Sequence, residues 1–122
     1  MKTSKIFIFA LDGVPYTFLQ KMITSGTMSH FTKLAESSHF QLIDSVQPPV
    51  SSSAWASFLT GKQPNEHGVL SFTERDPATM DWYTPDARYL KVKTIVEKLS
   101  DLDKRVFIMN VPVTYPPKPI NG

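Results

Sequence analysis

Three consecutive serines, Ser51, Ser52 and Ser53, stand where a loop gives way to a short helical pattern, and they are the side chains best placed to do chemistry. They lie within the stretch DSVQPPVSSSAWASFLTGKQPNEHG, residues 44–68. Pro48 and Pro49 cannot lie inside a helix, and the residue before a proline is pushed towards extended backbone, so the chain reaches Val50 as an ordered loop. The serines then offer helix-capping side chains, residues 54–60 can form a helix, and Gly61 is the left-handed residue expected just past its end. One or more serine hydroxyls therefore sit at a helix N-terminus. Unpaired N–H groups and the helix dipole favour negative charge there, whether a phosphate oxygen or a developing alkoxide. Such a serine is a candidate nucleophile; the competing reading makes all three simple caps.

A second candidate is Asp12. Residues 5–11 form a short continuous apolar run, the pattern of a strand buried on both faces of a parallel sheet. Asp12-Gly13 follows at once, which puts a carboxylate at the C-terminal end of a strand, where open α/β sheets place their ligands. Asp-Gly is also a common turn pair. Pro15 fits the first turn of a helix running through Phe18, Leu19 and Met22 to Ser25-Gly26. A second helix is expected over residues 30–37, and a second strand over residues 40–46, ending just before the double proline. The serine cluster, like Asp12, would then follow a strand.

Residues 69–89 break the regular pattern with many turn residues, yet carry Phe72, Trp82, Tyr83 and Tyr89, and read as an ordered excursion. Helical periodicity returns over residues 91–102, and a third strand is expected over residues 105–110. The order β, α, α, β, α, loop, α, β points to the α/β class. Three strands would leave a parallel sheet short of neighbours, so the chain reads as the front portion of a larger domain.

Composition narrows the function. A chain of 122 residues with 41% hydrophobic content and a formal net charge of +2 has a globular composition and one domain's worth of length. Its basic residues form no run, so nucleic acid is not an expected partner. The absence of cysteine removes disulfides, thiolate catalysis and zinc–cysteine sites. The opening MKTSKIFIFALDG has lysines ahead of an apolar run, but the run is too short for a signal peptide and ends on Asp12. No stretch is long enough to span a membrane. A cytoplasmic protein is the resulting expectation.

The strand-LDG opening, the PPVSSSAWASFLTGKQPNEHG segment and the NVPVTYPPKPING tail together resemble the N-terminal part of the alkaline phosphatase superfamily. Within it they look most like the type I phosphodiesterase/nucleotide pyrophosphatase branch, and the resemblance covers essentially the whole chain. It implies a three-layer α/β/α fold with a mostly parallel sheet, of which residues 1–122 would be the N-terminal part. It implies a metal-dependent phosphoryl-ester hydrolase acting on a phosphate-ester small molecule through a covalent phosphoseryl intermediate. Two divalent ions would take part, zinc in most of the superfamily, with manganese as the alternative. Carried across residue by residue, Asp12 would be a metal ligand. Ser51, nine residues ahead of Thr60 of the TG pair, would be nucleophile and ligand on that same metal. Ser52 and Asn110 would face the substrate, although Ser52 and Ser53 also read as caps and Asn110 as a strand-end cap. The PxxHG element with His67 would be structural, orienting the loop after the nucleophile helix.

The chain also departs from the pattern. Nucleotide pyrophosphatases proper carry an asparagine after the HG pair that helps hold the phosphate oxygen, where this sequence has Phe72, which counts against nucleotide diesters. The remaining metal ligands of the superfamily lie in a later part of the domain, so the 122 residues alone would be inactive. Rival readings are a phosphomutase using the same serine and metals, a sulfatase, and a non-catalytic binding module that keeps the fold.

Overall fold

The computed structural model describes residues 5–122, so Met1, Lys2, Thr3 and Ser4, the opening of the segment weighed above as a signal peptide, lie outside it. The chain divides into two units, the first ending at Asp44 and the second running Ser45–Gly122.

In the first unit, α1 (Tyr16–Thr24) and α2 (Ser29–Ser37) pack against each other. Pro15 precedes α1 in extended conformation, as its fixed φ suits, and Gly26 follows the helix with a positive φ of 71°. Phe40 closes this unit from outside the helices. Its ring stacks on Tyr16 at 5.3 Å between centroids and meets Phe31 edge-on at 5.8 Å. Stacked and edge-on pairs of this kind each contribute about 1 kcal/mol beyond the area they bury.

The second unit is organised by α3 (Ser51–Thr60), which packs on α4 (Pro64–His67) and α5 (Ile95–Asp101). Ala56 and Leu59 of α3 are buried together with Val69 and Ala87 from the segments that follow. Gly61 ends α3 at φ 66° and Gly68 ends α4 at φ 83°, both in the left-handed region that any other residue enters at a cost. Pro64 opens α4 at a position where the missing N–H has no partner to lose.

The excursion over residues 69–89 is ordered by a small antiparallel hairpin in which β1 (Glu74–Arg75) pairs with β2 (Trp82–Tyr83). Glu74 organises its base. One carboxylate oxygen accepts the Leu70 and Ser71 N–H groups, and the other accepts the Tyr83 hydroxyl at 3.2 Å. Tyr83 stacks on Tyr89, and the Arg75 guanidinium lies 4.7 Å from the Trp82 ring centre. The tail folds back along the same unit: Ala87 N–H donates to the Tyr115 carbonyl, Val106 N–H to the Asn121 carbonyl, and Lys118 pairs with Glu97.

The helix α5 starts later than the periodicity over residues 91–102 suggests, because Thr94 stops it with a capping box. The Thr94 hydroxyl oxygen accepts the Glu97 N–H at 3.2 Å while the Glu97 carboxylate accepts the Thr94 N–H at 2.8 Å. Thr94→Ala is expected to cost about 1 kcal/mol, read as a lowered urea midpoint. An unchanged midpoint would mean that the box does not set the start of α5.

The three strands expected over residues 5–11, 40–46 and 105–110 are not sheet strands here, and the sheet among the described residues is the antiparallel hairpin alone. Most of the apolar side chains in these segments are exposed, with Phe9 at 92% and Phe107 at 83%, while Phe40, Val46, Val106 and Ile108 are half-buried. A parallel strand is held by paired neighbours on both edges and covering layers on both faces, and no pairing of that kind forms around these residues. The three layers are not assembled among the described residues.

Candidate active site

Ser51 is the first residue of α3 and Val50, extended at φ −112° and ψ 138°, is its cap, so the helix begins three residues earlier than residues 54–60 alone suggest. The serines therefore occupy the first turn instead of capping it. The first intrahelical bond of α3 is donated by the Ala54 N–H to the Val50 carbonyl at 2.9 Å. The N–H groups of Ser51, Ser52 and Ser53 lie ahead of it, at the end where the helix presents donors and positive potential.

The side chains of the three serines differ. Ser51 is half-buried, while Ser52 and Ser53 are buried at 4% and 0% exposure. The Ser52 and Ser53 hydroxyl oxygens have no hydrogen-bond partner among the described residues. An unmet buried hydroxyl costs about 1–3 kcal/mol, so Ser53→Ala is expected to leave stability unchanged or raise it slightly. A capping serine would behave oppositely and lose about 1 kcal/mol on the same substitution, which makes the urea midpoint of Ser53→Ala decisive between the two roles.

Beyond the serines, α3 is locked to the PxxHG turn by a contact that no local pattern announced. Thr60 ends the helix with its hydroxyl donating to the Ala56 carbonyl at 2.7 Å. His67, fully buried, lies 2.8 Å through Nε2 from the Ser57 hydroxyl of α3, and its Nδ1 accepts the Val69 N–H at 3.1 Å. An amide N–H can only donate, so Nδ1 carries the lone pair and Nε2 carries the proton that it gives to Ser57. This imidazole cannot take a proton from Ser57, and the pair is no nucleophile–base dyad. Its backbone carbonyl accepts the Lys91 N–H at 3.1 Å, which ties α4 to the chain leading into α5. Burial pushes the His67 imidazole below its ordinary range, against the opposing pull of the Glu66 and Glu74 carboxylates. Both ring nitrogens are engaged within the protein, which agrees with a structural role for His67.

Asp12 belongs to the first unit, in an exposed turn with Gly13 at φ 68°. Asn110 is exposed in a loop and adopts a left-handed φ of 55°, which asparagine tolerates better than most residues. Three residues on, Val113 also has a positive φ of 64°, an uncommon conformation for a β-branched side chain. Phe72 and Trp82 are exposed on and beside the hairpin, whereas Tyr83 is anchored by its stack on Tyr89 and its bond to Glu74. Ser57 is the residue that sequence reasoning missed. Nothing in a serine at mid-helix signals a partner ten positions later.

Catalytic zinc takes three protein ligands, and among the described residues no group of three or more His, Cys, Asp or Glu side chains could hold a metal ion. The described residues do not make up a metal centre by themselves. No helix among them is long and apolar enough to cross a membrane.

The pattern of the family described as type I phosphodiesterase / nucleotide pyrophosphatase matches residues 6–121. No curated protein and no solved structure matches the chain.

Proposed function

The chain belongs to the type I phosphodiesterase / nucleotide pyrophosphatase family, and from that premise we propose that it contributes the nucleophile and one metal-binding carboxylate to phosphoryl-ester hydrolysis. The observation that carries the reading is the family match from residue 6 to residue 121, which takes in Asp12, the serine turn of α3 and the tail. Members of the family are in general metal-dependent, with zinc. Asp12 would supply a carboxylate to one of two such ions, and Ser51 would share that ion through Oγ. When bound, an ion of this kind polarises the phosphoryl oxygens and lowers the cost of a serine alkoxide. Two donors fall short of the three ligands of catalytic zinc, so the 122 residues alone are expected to turn over no ester.

The steps assigned to the chain's own groups are two displacements at phosphorus. Ser51 Oγ forms a bond to phosphorus as the ester oxygen of the leaving group departs and takes up a proton. Water then forms a bond to the same phosphorus, the Ser51 Oγ–P bond breaks, and the serine regains its proton as phosphate or a phosphomonoester leaves. The N–H groups of the first turn of α3 face negative charge on the phosphoryl oxygens, and the Ser52 hydroxyl is a further donor. Phe72 in place of the family's asparagine removes one phosphate donor, which favours substrates other than nucleotide diesters. A cytoplasmic setting and a phosphate-ester small molecule complete the proposal.

The test is to trap the intermediate. The protein encoded by the whole reading frame is mixed with a chromogenic phosphodiester or phosphomonoester in the presence of zinc, quenched in acid, and digested for mass spectrometry. A phosphoryl adduct on Ser51 supports the reading. An adduct on another residue, or burst-free turnover with no adduct, would count against it.

A further inference from the structure

We infer that His67 is a positioning residue for the nucleophile-bearing helix, an acid-releasable latch that holds α3 only as the neutral imidazole protonated on Nε2. The inference rests on the reading of α3 as the nucleophile helix, but the latch itself stands on contacts within the second unit. Nε2–H gives its proton to Ser57, halfway along α3, and Nδ1 receives the Val69 N–H beyond the turn. One ring thus joins the helix to the chain that leaves α4, and Lys91 N–H secures the His67 carbonyl from a third segment. Protonation of Nδ1 removes the only lone pair available to the Val69 N–H and sets two donors against each other in a site with no exposure to water.

The charged groups around the ring are few. The helix α3 carries no titratable side chain, Glu66 precedes the ring on α4 and is held by Lys62, and Glu74 faces it from β1 while bonded to Tyr83. The Lys91 side chain runs alongside Gly68, where an added Cβ would come within 2.9 Å of it. The two carboxylates favour the imidazolium and burial opposes it, with burial the larger. A histidine whose folded value is depressed stabilises the fold fully above its unfolded value, and that contribution is lost as pH falls through the folded value. The latch therefore opens on the acid side.

The experiment uses the 122-residue chain labelled with ¹⁵N in its histidines and follows the ring nitrogens by NMR as pH is lowered. His67 is expected as the Nε2–H tautomer near neutral pH, with its titration displaced to the acid side of the ordinary imidazole range. An Nδ1–H tautomer, or titration at or above the ordinary imidazole range, overturns the inference. Ser57→Ala is expected to speed amide exchange in α3 about fivefold, the equivalent of one hydrogen bond, and Ser57→Thr to restore it. Unchanged exchange in Ser57→Ala overturns the latch as well. The tautomer is read in the unsubstituted chain, so a variant that fails to fold does not remove the test. None of these measurements depends on hydrolysis: a chain with the expected tautomer and no adduct on Ser51 would sink the hydrolase reading alone.

Discussion

Ser51→Ala is expected to abolish phosphoryl-ester hydrolysis by the protein of the whole reading frame, lowering kcat by roughly 10⁴-fold or more, the scale on which loss of a covalent nucleophile acts. The substitution removes one oxygen from the first position of α3 and leaves alanine, the best helix former, in its place, so the fold has no reason to fail. Folded but inactive protein is the specific outcome. Ser52→Ala serves as the comparison, because its hydroxyl is assigned to the phosphoryl oxygens and its removal should weaken turnover far less and leave the adduct on Ser51. Asp12→Asn keeps the size of the side chain and removes its charge. Its loss should exceed the about 10–100-fold cost of removing an outer-shell partner and should be relieved in part by added zinc. Full activity in Ser51→Ala, measured on a chromogenic phosphodiester and a phosphomonoester, would end its assignment as nucleophile. Full activity in Asp12→Asn at low zinc would end the metal role of Asp12.

Leu59→Ala is expected to cost about 3 kcal/mol, the largest stability effect of any single truncation in the second unit. Leu59 is 1% exposed on the side of α3 that bears Ala56, and it is the largest of the buried apolar side chains of this unit, the others being Ala56, Val69 and Ala87, so its truncation leaves a cavity in a closely packed core. Both tryptophans, Trp55 and Trp82, belong to this unit, so the urea dependence of tryptophan fluorescence reports its unfolding. Leu34→Ala in α2 makes the same chemical change at a side chain 58% exposed and should shift stability by no more than about 0.5 kcal/mol. Equal losses at the two positions would mean that burial does not rank these sites, and the second unit would lack the core described for it.

Much of the local structure was legible before any coordinates. Pro15 ahead of α1, the apolar spacing of α2 and the glycine closing α3 are signals between residues a few positions apart, and each produced the expected element. The nucleophile helix was placed correctly but started too late, because Ser51, Ser52 and Ser53 suit a cap and a first turn almost equally well. Val50, extended at φ −112° and ψ 138°, takes the cap, and the serines fall into the first turn behind it. The strands over residues 5–11, 40–46 and 105–110 rest on local runs and alternation of apolar residues, and a strand is completed by partners that such a local pattern does not name.

For the site, the sequence by itself determined the reagents: a serine at a helix start, a carboxylate in an Asp-Gly turn, and motif spacings that identify the family. Tertiary structure alone decided which hydroxyls are buried without partners, and that His67 reaches Ser57 with one nitrogen and Val69 with the other. The division has a physical cause. Helix starts, stops and turn residues act through backbone bonds to near neighbours, so their evidence is written locally. A hydrogen bond between side chains ten residues apart depends on how one helix turns back upon another, and packing settles that geometry.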